Sequence, residues 1–122
     1  MRAETIRKIA ICCVVGMGSA ALSLRAPAAD PPRRIEVVAK RFTFTPAEIT
    51  LKKGEPVVIV LRSEDVAHGL KFKELDIQAD VAKGATKEIA FTPMQASDFV
   101  GHCSHFCGAG HGSMTLTLHV TE

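Results

Sequence analysis

The chain has 122 residues, with 15 Lys and Arg against 13 Asp and Glu and neither Trp nor Tyr, a length that allows one domain and no more. Arg2, Arg7, Lys8, Arg25 and Glu4 all lie in residues 1–28, so the remainder carries 11 basic and 12 acidic groups, a formal charge of −1. A near-neutral domain implies neither nucleic acid nor an anionic membrane surface as its partner.

Residues 1–28 read as a cleaved secretory signal. A positive start is followed by an apolar run from Ile9 to Leu24, and Ala26-Pro27-Ala28 supplies a small-x-small cleavage site. An uncleaved anchor through residues 9–24 is the rival, although a run of about 16 residues falls short of the ~20 that a span needs. Cys12 and Cys13 leave with the signal, so two thiols remain. Residues 29–34 then form a short exposed linker, and residues 35–122 the domain.

From Ile35 onward the apolar residues alternate with period two and no helical stripe emerges, which predicts an all-β fold. Ile35, Val37 and Ala39 form a first strand. Phe42 and Phe44 face one way before Pro46, and Ile49 and Leu51 lead into the turn residues Lys52-Lys53-Gly54-Glu55-Pro56. Val57 to Leu61 is a continuous β-branched and aliphatic run, expected of a strand buried on both faces at the centre of a sandwich. His68, Leu70 and Phe72 share parity, which puts His68 inward at the rim. Leu75 to Ala85 reads as a loop wrapping a sheet edge. Ile89 and Phe91 mark another strand, ended by Pro93. Phe99, Gly101 and Cys103 share a face, as do Met114, Leu116, Leu118 and Val120. Some seven short strands result, a single-domain sandwich of ~90 residues.

Two of these strands carry the ends of the most informative stretch, C-S-H-F-C-G-A-G-H-G-S-M from Cys103 to Met114. Its two thiols, imidazole and thioether recur at offsets 0, 4, 8 and 11, with Gly108, Ala109 and Gly110 allowing a tight fold between them. A Cys-His-Met set of soft donors suits copper, whereas zinc sites rarely recruit Met. His68 in S-E-D-V-A-H-G is the best distant ligand. A Cys103–Cys107 disulfide is the alternative in an oxidising compartment, but it leaves His111 and Met114 at their offsets by chance. By alternation His102 and His119 point outward, and His105 either shields the centre or meets a partner. Nothing in the sequence argues for a catalytic triad, a phosphate loop or paired catalytic carboxylates.

The spacing Cys103, His105, Cys107, His111, Met114 with the upstream D-V-A-H-G resembles the binuclear copper A domain of cytochrome c oxidase subunit II and of nitrous-oxide reductase. That resemblance, over roughly residues 35–122, implies a cupredoxin-like Greek-key β-sandwich holding two copper ions. It implies that Cys103 and Cys107 bridge both coppers, that His68 and Met114 complete one, and that His111 with the carbonyl of His105 completes the other. His105 stands where oxidase subunits usually carry a Glu that helps hold a magnesium ion against the catalytic subunit, as nitrous-oxide reductase also lacks it. The chain also lacks the exposed Trp or Tyr that such domains usually use for electron uptake. The expectation is a periplasmic electron carrier or accessory subunit, not itself an enzyme, with a redox protein partner and no small-molecule substrate. A periplasmic copper chaperone or store with a copper-delivery partner is the alternative, and a mononuclear cupredoxin with one idle thiol a third.

Overall fold

The computed structural model describes Ser23 and residues 30–122; apart from Ser23, the signal expected at residues 1–28 lies outside the described residues, and of the linker expected at residues 29–34 the last two, Arg33 and Arg34, belong to the first strand. Nine strands form two packed sheets: β1 (Arg33–Lys40), β2 (Thr43–Thr45), β3 (Glu48–Lys52), β4 (Val57–Ser63), β5 (His68–Phe72), β6 (Ile77–Val81), β7 (Thr86–Phe91), β8 (Asp98–His102) and β9 (Thr115–Thr121). One sheet runs β2-β1-β4-β7 and the other β3-β9-β8-β5-β6. The pairs β1/β4 and β3/β9 are parallel and the others antiparallel. Parallel neighbours cannot be joined by a tight hairpin, so the chain crosses repeatedly between the sheets and closes an all-β sandwich of Greek-key type.

The alternation read from the sequence decides what lies between the sheets. Val37, Ala39, Phe44, Ile49 and Leu51 are buried, as are Leu70, Phe72, Phe99, Leu116, Leu118 and Val120. Val57, Val58, Ile59 and Leu61 are buried too, and β4 lies between β1 and β7 as a central strand should. The loop expected from Leu75 to Ala85 is corrected: residues 77–81 form β6, which pairs with β5 from His68↔Val81 to Phe72↔Ile77. Only Ile77, Ala79 and Val81 turn inward there, with small Ala79 at the middle, and the chain enters through a 3-10 turn at Lys73–Leu75 and a left-handed Asp76. So weak an apolar signal reads as a loop until its partner strand is seen. β2, too, separates from β1 as a strand of its own, so nine strands replace the seven expected.

His119, on the outer face of β9, ties three strands of one sheet together. Its Nδ1 meets Asp98 Oδ1 of β8 at 2.7 Å and its Nε2 meets Glu48 Oε1 of β3 at 3.4 Å. The hydrogen bond to Asp98, then that to Glu48, raises its pKa above the ordinary 6.5. The folded state therefore holds this proton more tightly than the unfolded chain, so the contribution is fully present below about pH 6.5 and is lost as pH rises through the raised value. Thermal midpoints of the parent and of His119→Gln should accordingly converge as pH rises through that raised value. A gap that widens with pH would contradict this assignment.

Candidate metal centre

Cys103 follows β8 directly and Met114 precedes β9, and the Cys103 N–H donates to the Met114 carbonyl at 3.1 Å. That bond closes the neck of the loop between two adjacent strands. Inside it, the His111 N–H donates to the Gly108 carbonyl at 3.1 Å and the Ser113 N–H to the Gly110 carbonyl at 3.1 Å, winding residues 111–113 into a 3-10 turn. The donors are thereby turned back toward the core.

Both thiols are free and 4% exposed, and their sulfurs are 3.8 Å apart, well beyond the ~2.05 Å of a disulfide. Cys103 Sγ lies 3.9 Å from His68 Nδ1 and 3.2 Å from the His105 carbonyl oxygen. Cys107 Sγ lies 3.8 Å from His111 Nδ1 and 3.8 Å from Met114 Sδ. His68, Cys103 and Cys107 bring their donor atoms within 4.8 Å of one another. His68 and Met114 are wholly buried, whereas His111 is half-buried at the surface. The His105 ring is exposed, its Nδ1–H donating to the Phe106 carbonyl at 3.1 Å, and His102 is exposed as well.

The surroundings supply what alternation could not reveal. His68 Nε2 is bonded to Asp65 Oδ1 at 2.7 Å, which leaves Nδ1 facing the sulfurs; a carboxylate on the far nitrogen fixes ring orientation and raises basicity at the near one. Burial alone pushes the Asp65 carboxyl upward, but hydrogen bonds from the Arg41 N–H, the His68 ring and the Val66 N–H together bring it down to about 2. The D-x-x-H spacing was a usable signal for this pair. No sequence signal pointed to Arg41, whose Nε–H donates to the Cys107 carbonyl at 2.7 Å, or to the seat of the Phe42 ring over Gly108 and Gly110. A Cβ on Gly110 would overlap that ring, and one on Gly69, beside His68, would overlap Ser104 Oγ. Close backbone approach, not turn-making, is what these two glycines provide.

Burial pushes the Cys107 thiol up to about 11, and the hydrogen bond and charge of Cys103 add to the rise while the Arg41 guanidinium opposes it. A cation taking this sulfur must displace a tightly held proton, the usual coupling of thiolate ligation to proton release. Two buried thiols, a buried thioether and two imidazoles around one point, with no carboxylate among the donors, form a soft set that fits copper.

A family model described as a cupredoxin-like domain matches residues 9–116. Cytochrome c oxidase subunit 2 of Thermus thermophilus is 28% identical over 88 residues, which cover 72% of this chain and 65% of that protein. Against the subunit 2 of a named strain of the same organism the coverage falls to 52%. Among solved structures, the periplasmic domain of cytochrome oxidase subunit II of Bradyrhizobium japonicum superposes with a TM-score of 0.68 at 20% identity, over 79% of this chain and 87% of that one. The metal-binding domain of the Cu(I)-exporting P-type ATPase of Streptococcus pneumoniae D39 does so with a TM-score of 0.62 at 24% identity, over 73% and 85%.

Proposed function

Because the chain belongs to the cupredoxin-like domain family, we propose that it is an exported copper-binding electron-transfer protein with a binuclear centre of the copper A type. One observation carries the proposal: six donors from two segments, His68 and the stretch Cys103 to Met114, converge at one pole of the sandwich, each cysteine sulfur flanked by two further donors within 3.9 Å besides the other thiol. In this reading Cys103 and Cys107 bridge the pair, His68 and Met114 complete one site, and His111 and the His105 carbonyl complete the other. Each sulfur then has beside it one donor from each set, as a shared bridge requires.

Copper held there would supply a one-electron couple. The chain's own residues keep that couple fast by changing little between its two states: β5, β8 and β9 fix the donors before metal arrives, and burial of His68, Met114 and both thiols excludes water. Half-buried His111 is the side-chain donor nearest solvent, which makes its side of the loop the face for a redox protein partner. Export is supported by the pattern of residues 1–28 and by the likeness to a periplasmic domain, and residues 29–34 are read as the linker to residues 35–122. No helix among the described residues is long and apolar enough to cross a membrane. Reduced protein reconstituted with copper should hold two coppers per chain and give a mixed-valence paramagnetic spectrum with hyperfine splitting shared by both nuclei. One copper per chain with a mononuclear spectrum would sink the binuclear reading.

A second reading, periplasmic copper delivery or storage, draws on the likeness to a Cu(I) exporter's metal-binding domain and on exposed His102 and His105 next to the centre. A copper-delivery partner would then replace the redox partner. Competition with a chelator separates the two, since a carrier retains its copper and a delivery protein releases it.

A further inference from the structure

Resting on the metal reading above, we propose that Arg41 is the positioning residue that joins the two halves of the centre. Three segments distant in sequence meet at this one residue. Its backbone N–H donates to Asp65 Oδ2 at 2.8 Å, and the other oxygen of that carboxylate holds His68 Nε2 at 2.7 Å. Its Nε–H donates to the Cys107 carbonyl at 2.7 Å. An unbroken path thus runs from the His68 imidazole through a carboxylate, one residue of the turn between β1 and β2, and a guanidinium to the backbone of the second thiol.

The two ends of that path sit on different elements, which meet besides only through the β5/β8 pairing, the His68–Cys103 approach and the approach of Gly69 to Ser104 and the His105 N–H, all on the Cys103 side of the loop. His68 begins β5, whereas Cys107 lies in the middle of the loop between β8 and β9, between exposed Phe106 and the small residues Gly108, Ala109 and Gly110. A guanidinium bonded to a carbonyl is a charge-assisted contact, stronger than a neutral one, and this one holds the loop backbone at Cys107 itself. Phe42 reinforces it, because its ring rests on Gly108 and Gly110 from the same turn. Arg41 also brings a positive charge to a centre whose thiolates are negative, and such a charge favours the state carrying the extra electron.

The test uses the metal-free protein first. Arg41→Met should raise amide exchange about tenfold at His111 and also at Val66, whose N–H is bonded to Asp65 Oδ1 and which the Arg41 side chain does not contact through any hydrogen bond. Amides of β9 should not change. Arg41→Lys, keeping a donor and the charge, should recover most of the protection. In the copper-loaded protein Arg41→Met should shift the one-electron equilibrium toward the oxidised form by on the order of tenfold, ~59 mV, with Arg41→Lys close to the parent. Faster exchange at His111 alone, no change at either amide, no recovery with Lys, or an unmoved potential would each overturn the proposal. Failure of the parent protein to take up copper would instead refute the metal reading, and the exchange comparison would still decide whether Arg41 couples the two segments.

Discussion

Replacing Cys107 by Ser is expected to destroy the two-copper centre while leaving the sandwich folded. Cys107 Sγ lies 3.8 Å from each of Cys103 Sγ, His111 Nδ1 and Met114 Sδ. A hydroxyl is a hard ligand that stays protonated at neutral pH, so it cannot replace a soft thiolate. Losing an outer partner of a metal ligand typically costs 10–100-fold in affinity, and losing a shared ligand must cost more. The cost to the fold is smaller, about 1–3 kcal/mol for a buried hydroxyl without a full set of partners. Copper stoichiometry and paramagnetic spectra, recorded beside a thermal melt, separate the two effects. Cys103→Ser should behave alike; if either variant kept the two-copper spectrum, that thiol would be idle and bridging by both sulfurs would be wrong.

Gly101→Ala should be the most destabilising single-methyl change near the centre. Gly101 is buried in β8 against β5, and a Cβ there would stand 2.6 to 2.8 Å from three ring carbons of Phe72. The ring is wholly buried, so the strands must part or the ring must leave its rotamer. Overpacking of this kind costs about 1–3 kcal/mol. Urea unfolding should show a lower midpoint with an unchanged slope. The double variant Gly101→Ala/Phe72→Leu should lose less than the sum of its parts, because the smaller side chain makes room for the new methyl. Strict additivity would mean that ring and strand are not in the contact described.

Much of this molecule was legible because strands and ligands obey short-range rules. Parity placed His68 with Leu70 and Phe72, and Met114 with Leu116 and Leu118, and all six are buried in the structure. The offsets within Cys103 to Met114 likewise identified the loop before any coordinates. β6 escaped notice because Ala79 contributes so little apolar signal, and its identity rests on backbone pairing with β5, which no single segment encodes. Arg41 and Phe42 escaped for a different reason: the partners of their side chains lie 66 or more residues away, and nothing about an Arg-Phe dipeptide announces a carbonyl or a pair of glycines across the fold. Asp65 was visible as a residue of the motif, and its D-x-x-H spacing to His68 was the available signal for the bond it makes to the far nitrogen.

The position of β9 bears on when the metal can be acquired. It is the last strand in chain order, yet it lies between β3 and β8, so those two have no shared neighbour until residues 115–121 are in place. A chain emerging residue by residue would therefore present its thiols before the wall behind Met114 exists, with Ile49, Leu51 and Phe99 still in water. If the centre holds copper as proposed, its uptake by this arrangement would be an event of the finished domain and not of the growing polypeptide, and delivery of the ion would belong to the compartment where folding is completed.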